Sequence, residues 1–472
     1  MNKFKLFVEN FLVYGFGGII SKLVPLVMVP IITRLMPNTA YFGISDLSNT
    51  VIQFASAIAC MGMYDAMYRM FFERDEEKYK KEVCSSALIF TALSSLIIFI
   101  FMIIFRSAIS RFFFGDRKYA NLIYITAIAT LVGATNSIIS APTRMQNKRK
   151  VYLVTNTLSP LIAYGIAIPL LINGYYLIAL PLSAMIASMT MEVIFYFLNK
   201  DWFKIKYFNK NALINMLKIG IPLLPNFLIY WVFNSSDKVM ITNLLNVGQS
   251  GIYSVGAKLG MASQLIYTAF SGGWQYFAFS TMKEEDQVGS NSRIFEYLGI
   301  ISFISSTFIC AWSYGIYKLL FTGKYVQGFI ISPYLFLAPL LQMLFQVACN
   351  QFLIIKNTWP NMFILSSGAI LNIALNFILI PVIGIEGASI ATLIGYIASD
   401  IICCIVLIKM KLMVISKRFL FCCLSMIIFF IIWRVYFTKN IILGTLIAIV
   451  ESIIMIIFYK KDIMRIVKSI KK

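Results

Sequence analysis

Two lysines lie inside apolar stretches that are long enough to cross a membrane. Lys22 is near the centre of the first stretch, and Lys258 is in the eighth. A charged side chain that faces lipid at mid-bilayer costs about 2.5 to 17 kcal/mol. We therefore expect both ammonium groups to face a polar interior, where they provide fixed positive charge for an anion. The alternative is a lysine whose ammonium reaches the membrane surface, which suits Lys258 better than Lys22.

Three aspartates in or beside the apolar stretches are candidates for binding a proton or a sodium ion. Asp65 and Arg69 are four residues apart at the inner end of the second stretch, so they share a helical face. Arg69 is a third candidate for binding the anion, unless the two residues form an ordinary ion pair at a helix end. Asp237 is expected at the outer end of the seventh stretch, where a structural cap is the alternative. Asp400 lies in the twelfth stretch.

The residue types exclude most enzyme chemistry and a metal site. The chain contains no histidine, and its eight cysteines are scattered without ligand spacing, so neither histidine-based catalysis nor a His/Cys metal site is expected. No pair of carboxylates is spaced for acid–base hydrolysis, and no phosphate-binding loop is present. We predict a protein that is not an enzyme and has no cofactor, with proton or sodium coupling left open.

Composition places these residues in a membrane protein. Apolar residues make up 60% of the 472 residues and charged residues only 13%, whereas a soluble chain has about 25% charged residues. The apolar runs are continuous rather than alternating, which predicts helices and disfavours a barrel. The predicted fold is an all-α integral membrane protein of about fourteen transmembrane helices. The predicted spans are 11–33, 44–68, 84–105, 119–140, 151–172, 177–198, 213–233, 250–274, 295–317, 328–350, 361–381, 385–408, 417–436 and 440–459.

The positive charge predicts the orientation of these spans. The formal net charge is +21, and most lysines and arginines fall on the side of the two termini, except for a basic loop after the third span. Basic loops mark the cytoplasmic side, so both termini are expected there. A nucleic-acid partner is not expected, because the charge is explained by topology.

Prolines mark an internal repeat. Pro25 and Pro30 interrupt the first span, and Pro222 and Pro225 interrupt the seventh. Corresponding interrupted spans in two halves indicate a substrate pathway and hinge points, because a helix bends there and frees carbonyl groups. Six spans separate the copies, so the halves have the same orientation and are related by a pseudo-twofold axis along the membrane normal. The predicted organisation is an N-terminal six-helix lobe (1–199), a cytoplasmic linker (200–212), a C-terminal six-helix lobe (213–408) and two further helices with a basic tail (409–472).

Three segments resemble a known family. They read GIPLLPNFLIYWVFNSSDKVMI, SGIYSVGAKLG and LNIALNFILIPVIGIEGASIATLIGYIASD, and they are similar to the corresponding segments of polysaccharide-repeat flippases of the Wzx type, in the polysaccharide transport family. That family belongs to a larger group with the multidrug and toxin extruders and the lipid II flippases. The resemblance runs through nearly the whole chain, and no motif in it identifies the glycan.

The resemblance implies a cargo, a location and partners. The lobes would form a V-shaped cavity, and the cargo would be an oligosaccharide on undecaprenyl diphosphate, moved to the outer leaflet of a bacterial cytoplasmic membrane. Such flippases serve O-antigen or capsule synthesis, so a polysaccharide polymerase and a chain-length regulator are the expected partners besides membrane lipids. Lys22 and Lys258 would then hold the diphosphate while the lobes rock between inward and outward access.

Three alternatives remain open at this point. A lipid II flippase handles the same diphosphate anchor. A multidrug or toxin antiporter on the same scaffold would need acidic residues for its cationic cargo, and a lysine in the first span argues against it. A membrane glycosyltransferase or polymerase would need carboxylates on sizeable outer loops, which the sequence lacks.

Overall fold

The computed structural model describes residues 23–260, 262–357 and 359–470, so Lys22 lies outside the described residues. Throughout these ranges the chain is helical or in turns, without a strand. Eleven of the described helices are long and apolar enough to cross a membrane. Of the remaining three predicted spans, the first is described only from Leu23 onward, and the second and eighth are each divided between two helices. The predicted all-α membrane fold is confirmed.

Contacts divide the chain into two compact units, Met1–Ser254 and Val255–Lys472. This division falls within a helix of the predicted C-terminal lobe, later than the linker at 200–212. The lobe boundaries and the repeat stay predictions. The helices of unit 1 are α1 (described over Leu23–Leu35), α2 (Thr39–Cys60), α3 (Met63–Phe71), α4 (Glu77–Ile104), α5 (Arg106–Phe114), α6 (Leu122–Met145), α7 (Arg149–Ile172), α8 (Ala179–Asn199), α9 (Lys210–Gly220), α10 (Leu224–Trp231), α11 (Asp237–Leu244) and most of α12 (Val247–Gly260).

Unit 2 begins in the last turns of α12 and is built from seven further helices. Its last two helices, α18 and α19, lie outside the predicted repeat. A π-helical segment, Trp433–Phe437, follows α18. The helices are α13 (Ser263–Ser280), α14 (Gln287–Leu320), α15 (Ser332–Ile354), α16 (Trp359–Ile383), α17 (Ile385–Lys409), α18 (Lys417–Ile432) and α19 (Ile441–Ile470).

Unit 1 has two apolar cores. One packs α3 against α4, α6, α8 and α9 through residues such as Met67, Cys84 and Met216. The other packs α2 against α5, α6 and α11 through residues such as Leu47 and Phe114. The first core therefore fixes α3 beside the C-terminal halves of α6 and α8.

The second predicted span, 44–68, is broken rather than continuous. Met61 and Gly62 adopt left-handed backbone angles, with φ of 46° and 69°, and they separate α2 from α3. A Cβ at Gly62 would meet the backbone of Gly220, and a Cβ at Gly220 would meet the backbone of Met61 and Gly62. The break therefore depends on close backbone packing of α3 against α9, which the local sequence does not reveal.

The seventh predicted span runs on past its expected end at residue 233. A 3-10 turn, Ile221–Leu223, contains Pro222, and a π-helical segment, Val232–Ser236, separates α10 from α11. Within this polar run Ser236 Oγ donates to Val232 O at 2.6 Å and Asn234 Nδ2 donates to Tyr230 O at 2.7 Å. The side chains satisfy nearby carbonyls, so the helix continues to Leu244. Asp237 therefore lies inside a helix, and its expected place at the helix end was wrong.

The eighth predicted span, 250–274, is also divided. Its described residues form α12, which is described to Gly260, and α13, which begins at Ser263 after a turn at Ala262. Lys258 falls in the last turn of α12.

Candidate functional site

A polar cleft lies between α6, α7 and α8 of unit 1. Its cavity has a volume of about 150 Å³. Eight of the ten lining side chains carry a hydroxyl, amide or guanidinium group, an unusual surface for helices inside a membrane unless it binds something polar. The lining residues are Asn136, Ser140, Thr143, Arg144, Tyr152, Thr155, Asn156, Ser159, Met191 and Phe195.

Arg144 provides the positive charge of this cleft. Its Nη1 donates to the Tyr64 hydroxyl at 3.3 Å and its Nη2 to the Tyr152 hydroxyl at 3.1 Å. The guanidinium carbon also lies 4.6 Å from the centre of the Tyr152 ring. In residues 23–260, 262–357 and 359–470 no carboxylate pairs with Arg144, whose side chain is exposed at the edge of the cleft. Neutral groups thus orient this cation and leave its charge available.

The local sequence explains how Arg144 and Tyr152 meet. Arg144 is in the last turn of α6, and Tyr152 is in the first turn of α7. The turn between them contains Asn147 with φ of 55°, a left-handed angle that asparagine adopts more readily than most residues. The chain reverses there, so side chains only eight positions apart face each other across the cleft.

A row of aromatic rings on α3 continues from Arg144. Tyr64 and Tyr68 are four residues apart with ring centres 6.1 Å apart, and Phe72 follows with its ring 5.5 Å from Tyr68. Residues at this spacing share one face of a helix. Tyr68 and Phe72 are also exposed. The row can stack on flat groups with an apolar face, such as sugar rings.

Two further polar groups lie in or beside the cleft. Asn136 Oδ1 is buried and has no hydrogen-bond partner among the described residues, which indicates a place for a polar ligand or water. Thr135 Oγ1 donates to Glu192 Oε1 at 2.5 Å, next to the lining residue Met191. The cleft therefore combines a cation, amides and hydroxyls, the groups that bind phosphorylated sugars.

The structure places Arg69 and Asp65 on α3, the helix that carries Tyr64 and Tyr68. Both side chains are exposed, and in the described part of the chain they form no ion pair with each other. Arg69 thus lies on the helix that borders the cleft. Lys258 is half-buried and belongs to unit 2, and its pairing with Lys22 stays a prediction.

Asp237 is held inside unit 1. It is buried, and the Tyr253 hydroxyl donates to its Oδ2 at 2.6 Å. The adjacent Lys238 forms an ion pair with Asp46 of α2 at 2.6 Å. A Cβ at Gly43 would meet the backbone of Val247 and Gly251, so α2 also approaches α12 closely. This cluster ties α2, α11 and α12 together.

Two arginines of unit 2 have buried carboxylate partners. Arg434 donates to both oxygens of Glu386, at 2.6 and 2.9 Å, and the Tyr334 hydroxyl donates to Oε1 of the same carboxylate at 3.1 Å. Arg418 pairs with Asp462 at 2.5 Å. Polar contacts are an important source of helix association in lipid, so these pairs hold α18 and α19 in place.

Sequence reasoning missed Arg144 and its three tyrosines. Arg144 was counted among the basic residues of an inner loop, as topology alone would suggest. The spacing of Tyr64 and Tyr68 was an available signal for an aromatic face at the end of a span.

Eleven membrane-length helices and a cation-bearing polar cleft define a multi-pass helical membrane protein. The structure is similar to that of "Lipid II flippase MurJ, inward closed conformation", with a TM-score of 0.70, 19% identity, and coverage of 97% of this chain and 99% of that one. It is also similar to a MATE structure in the straight conformation, with a TM-score of 0.60, 14% identity, and coverage of 86% and 95%. It is similar as well to the inward-facing conformation of a multidrug resistance MATE family transporter of the MOP superfamily. The TM-score is 0.59 at 14% identity, with coverage of 83% of this chain and 98% of that one.

The chain belongs to the polysaccharide biosynthesis protein family, whose profile matches residues 7–283, more than half of the 472 residues. A search of curated proteins gave no match. At these identities the solved structures establish the fold, and they agree with the resemblance drawn from the sequence.

Proposed function

We propose that the protein is a flippase that moves oligosaccharide repeat units on undecaprenyl diphosphate from the cytoplasmic to the outer leaflet of a bacterial cytoplasmic membrane. The family name, polysaccharide biosynthesis protein, supports a role in making polysaccharide. A solved structure with the same fold is named a lipid II flippase, which supports lipid-linked cargo. Transport for O-antigen or capsule, with a polymerase and a chain-length regulator as partners, fits this role.

Arg144 is the observation that carries the proposal. Its guanidinium is oriented by tyrosines rather than neutralised by a carboxylate, so it can bind a phosphate or another anionic group of the cargo through two parallel hydrogen bonds. The cleft hydroxyls and amides suit sugar hydroxyls, and Tyr64 and Tyr68 suit sugar faces. By the predicted orientation Arg144 lies at the cytoplasmic end of α6, where a cargo assembled in the cytoplasm would enter.

The proposed mechanism is alternating access with an anionic cargo. Lys22, Lys258 and Arg69 would add positive charge along the path, and the prolines of the first and seventh spans would allow bending. Because the cell interior is negative, outward movement of the anionic head gains about 2.3 kcal/mol per charge per 100 mV. The membrane potential would then contribute to the driving force.

A lipid II flippase is the second candidate. The structure with that name covers almost the whole chain, and its cargo class would place the same anionic head on Arg144. A cation antiporter is less favoured, because an unneutralised arginine in a cleft repels a cationic cargo.

The test is flipping of a fluorescent undecaprenyl-diphosphate oligosaccharide by purified protein in liposomes, read by quenching from one side. Arg144→Ala should weaken cargo binding about 10- to 150-fold, because a charge-assisted hydrogen bond contributes about 1.5 to 3 kcal/mol. Arg144→Lys should be intermediate, since it keeps the charge and loses the planar geometry.

Lys150→Ala is the matched control, because Lys150 is an exposed cation near the start of α7 and does not line the cleft. Equal binding by the wild type and Arg144→Ala would remove the role of the cleft. Preference for lipid II over the oligosaccharide would favour the second candidate, and efflux of a cationic dye without lipid flipping would favour the antiporter.

A further inference from the structure

Asp400 is a carboxyl group buried in unit 2 without a counter-ion. It lies in α17 and is only 8% exposed, and both of its oxygens are buried without a hydrogen-bond partner among the described residues. It is nine residues from Lys409 at the end of α17, a distance of about 14 Å along a helix. This makes Asp400 unlike Glu386 and Glu296, whose carboxylates are buried but hydrogen-bonded.

The helices packed against α17 offer no positive charge. The sequence of α16, residues 359–383, contains no titratable side chain, and that of α15, residues 332–354, contains only Tyr334 and Cys349. Tyr396 lies one helical turn before Asp400 on α17, and four thiols of the described residues interact with Asp400 electrostatically. They are Cys349 on α15, Cys403 and Cys404 on α17, and Cys423 on α18.

An ionised carboxylate in this environment would be very unfavourable, because neither a cation nor a hydrogen-bond donor compensates for lost hydration. The neutral acid is the form that such a site holds. A sodium ion does not fit, since a hard cation needs several oxygen ligands. No group of three or more acidic or cysteine side chains suited to a metal ion occurs in the described ranges.

The neutral acid also gains nothing from this arrangement. Each buried polar group without a partner costs about 1 to 3 kcal/mol, so Asp400 does not stabilise the conformation in which it is seen. An ionisable residue inside a membrane helix most often marks a functional site. The partners of Asp400 must therefore be sought in another conformation or in water.

Buried amides on α15 provide a place for such water. Gln346 Oε1 and Asn350 Nδ2 are buried without hydrogen-bond partners in the described part of the chain. They flank Cys349, whose thiol donates to Gln346 O at 3.6 Å. Gln346 and Asn350 are four residues apart and share a helical face. Like Asp400, they lie in the second half of their helix, toward the predicted cytoplasmic end.

We propose that Asp400 is a proton-binding site, loaded in the conformation described here and emptied when unit 2 changes conformation and water reaches the acid from the side of Gln346 and Asn350. This inference rests on the proposed flippase function, because it assigns the coupling ion of that activity. The ion is a proton rather than sodium. Binding and release change only the O–H bond of the carboxyl group, and the proton is exchanged with water.

Infrared spectroscopy of the purified protein tests the site without any transport. The wild type at neutral pH should show the C=O stretch of a protonated carboxylic acid that lacks strong hydrogen bonds, and Asp400→Asn should lose that band. Asp400→Glu keeps an acid at the position and should retain a shifted band, which covers the case in which Asp400→Asn does not fold. No difference between wild type and either variant would overturn the proposal.

Flipping in liposomes tests the coupling. A pH gradient of one unit, acidic on the outer side, should increase the wild-type rate by up to about tenfold, since each unit changes proton activity tenfold. A sodium gradient should have no effect. Asp400→Asn should flip the cargo without responding to the pH gradient. Glu451→Gln, another intramembrane carboxyl whose Oε1 is buried without a partner among the described residues, should respond as the wild type does.

The outcomes separate the two proposals. If the wild type flips no lipid-linked oligosaccharide, the flippase function fails, while the infrared band still decides whether Asp400 holds a proton. If the wild type flips the lipid and Asp400→Asn keeps its response to pH, or if only sodium stimulates flipping, the proton site is overturned and the flippase function stands.

Discussion

Two arginines of the protein, one in each unit, are held in opposite ways. In unit 1, Arg144 is exposed and held by tyrosine hydroxyls and a tyrosine ring. In unit 2, Arg434 is bound by both oxygens of the buried Glu386. A neutralised arginine holds helices together, whereas an arginine with neutral partners keeps its charge for a ligand. The partner of the cation, and not its presence, distinguishes a binding residue from a structural one.

The largest expected effect concerns the structural arginine. Arg434→Ala leaves the buried carboxylate of Glu386 with only the Tyr334 hydroxyl. Because the Arg434 side chain is itself 46% exposed, we expect the loss of a partner by one buried polar group, about 1 to 3 kcal/mol. The free energy of unfolding should fall by that amount, measured by thermal or denaturant unfolding in detergent. The double variant Arg434→Met with Glu386→Gln should recover most of the loss, because it leaves no buried charge. Equal stability of the single and double variants would contradict this account of Arg434.

A carboxylate placed beside Arg144 should neutralise its charge, as Glu386 neutralises that of Arg434. Tyr152→Glu puts an acid where a hydroxyl now accepts from Arg144 at 3.1 Å. Binding of the anionic cargo should weaken about tenfold, and stability should change by less than about 1 kcal/mol, since an exposed pair contributes little. Binding by scintillation proximity would measure the effect. Tyr152→Phe keeps the ring without the charge and should lose less than Tyr152→Glu; the reverse order would disprove the electrostatic explanation.

The smallest effect is expected for an exposed pair of unit 2. Arg293 and Asp286 are in contact at 2.5 Å, but their side chains are 46% and 66% exposed. Arg293→Ala should lower the free energy of unfolding by at most about 1 kcal/mol, and less at high salt. The same unfolding assay at two salt concentrations checks this. A loss as large as that of Arg434→Ala would show that burial does not govern these pairs.

The sequence predicted the membrane-spanning helices well because continuous apolar runs depend only on local composition. It failed where tertiary contacts decide. The break at Met61 and Gly62 needs the backbone of Gly220, 158 positions away, and the helix through Asn234 and Asp237 continues because neighbouring carbonyls accept from polar side chains. Neither cause is visible in hydropathy.

The candidate site was predicted only in part for a similar reason. Arg69 and Asp400 were selected because charge in an apolar run is conspicuous. Arg144 follows its span directly, where basic residues are expected on the inner side, so nothing in the sequence set it apart. Its contacts are with Tyr64 of α3 and Tyr152 of α7, and only folding brings these residues together. Lys238 of α11 likewise pairs with Asp46 of α2, and no local pattern in the sequence indicates that contact.

The glycine contact between α3 and α9 has a mechanical consequence. Two backbones that touch without intervening side chains, as at Gly62 and Gly220, leave little room to slide. The short helix α3 and the span Lys210–Leu244, which begins with α9, are therefore expected to move together. Tyr64 and Tyr68 lie on α3, and the π-helical segment before Asp237 lies in the span that begins with α9. Any displacement of α3 would therefore be passed to α9 through backbone contact alone.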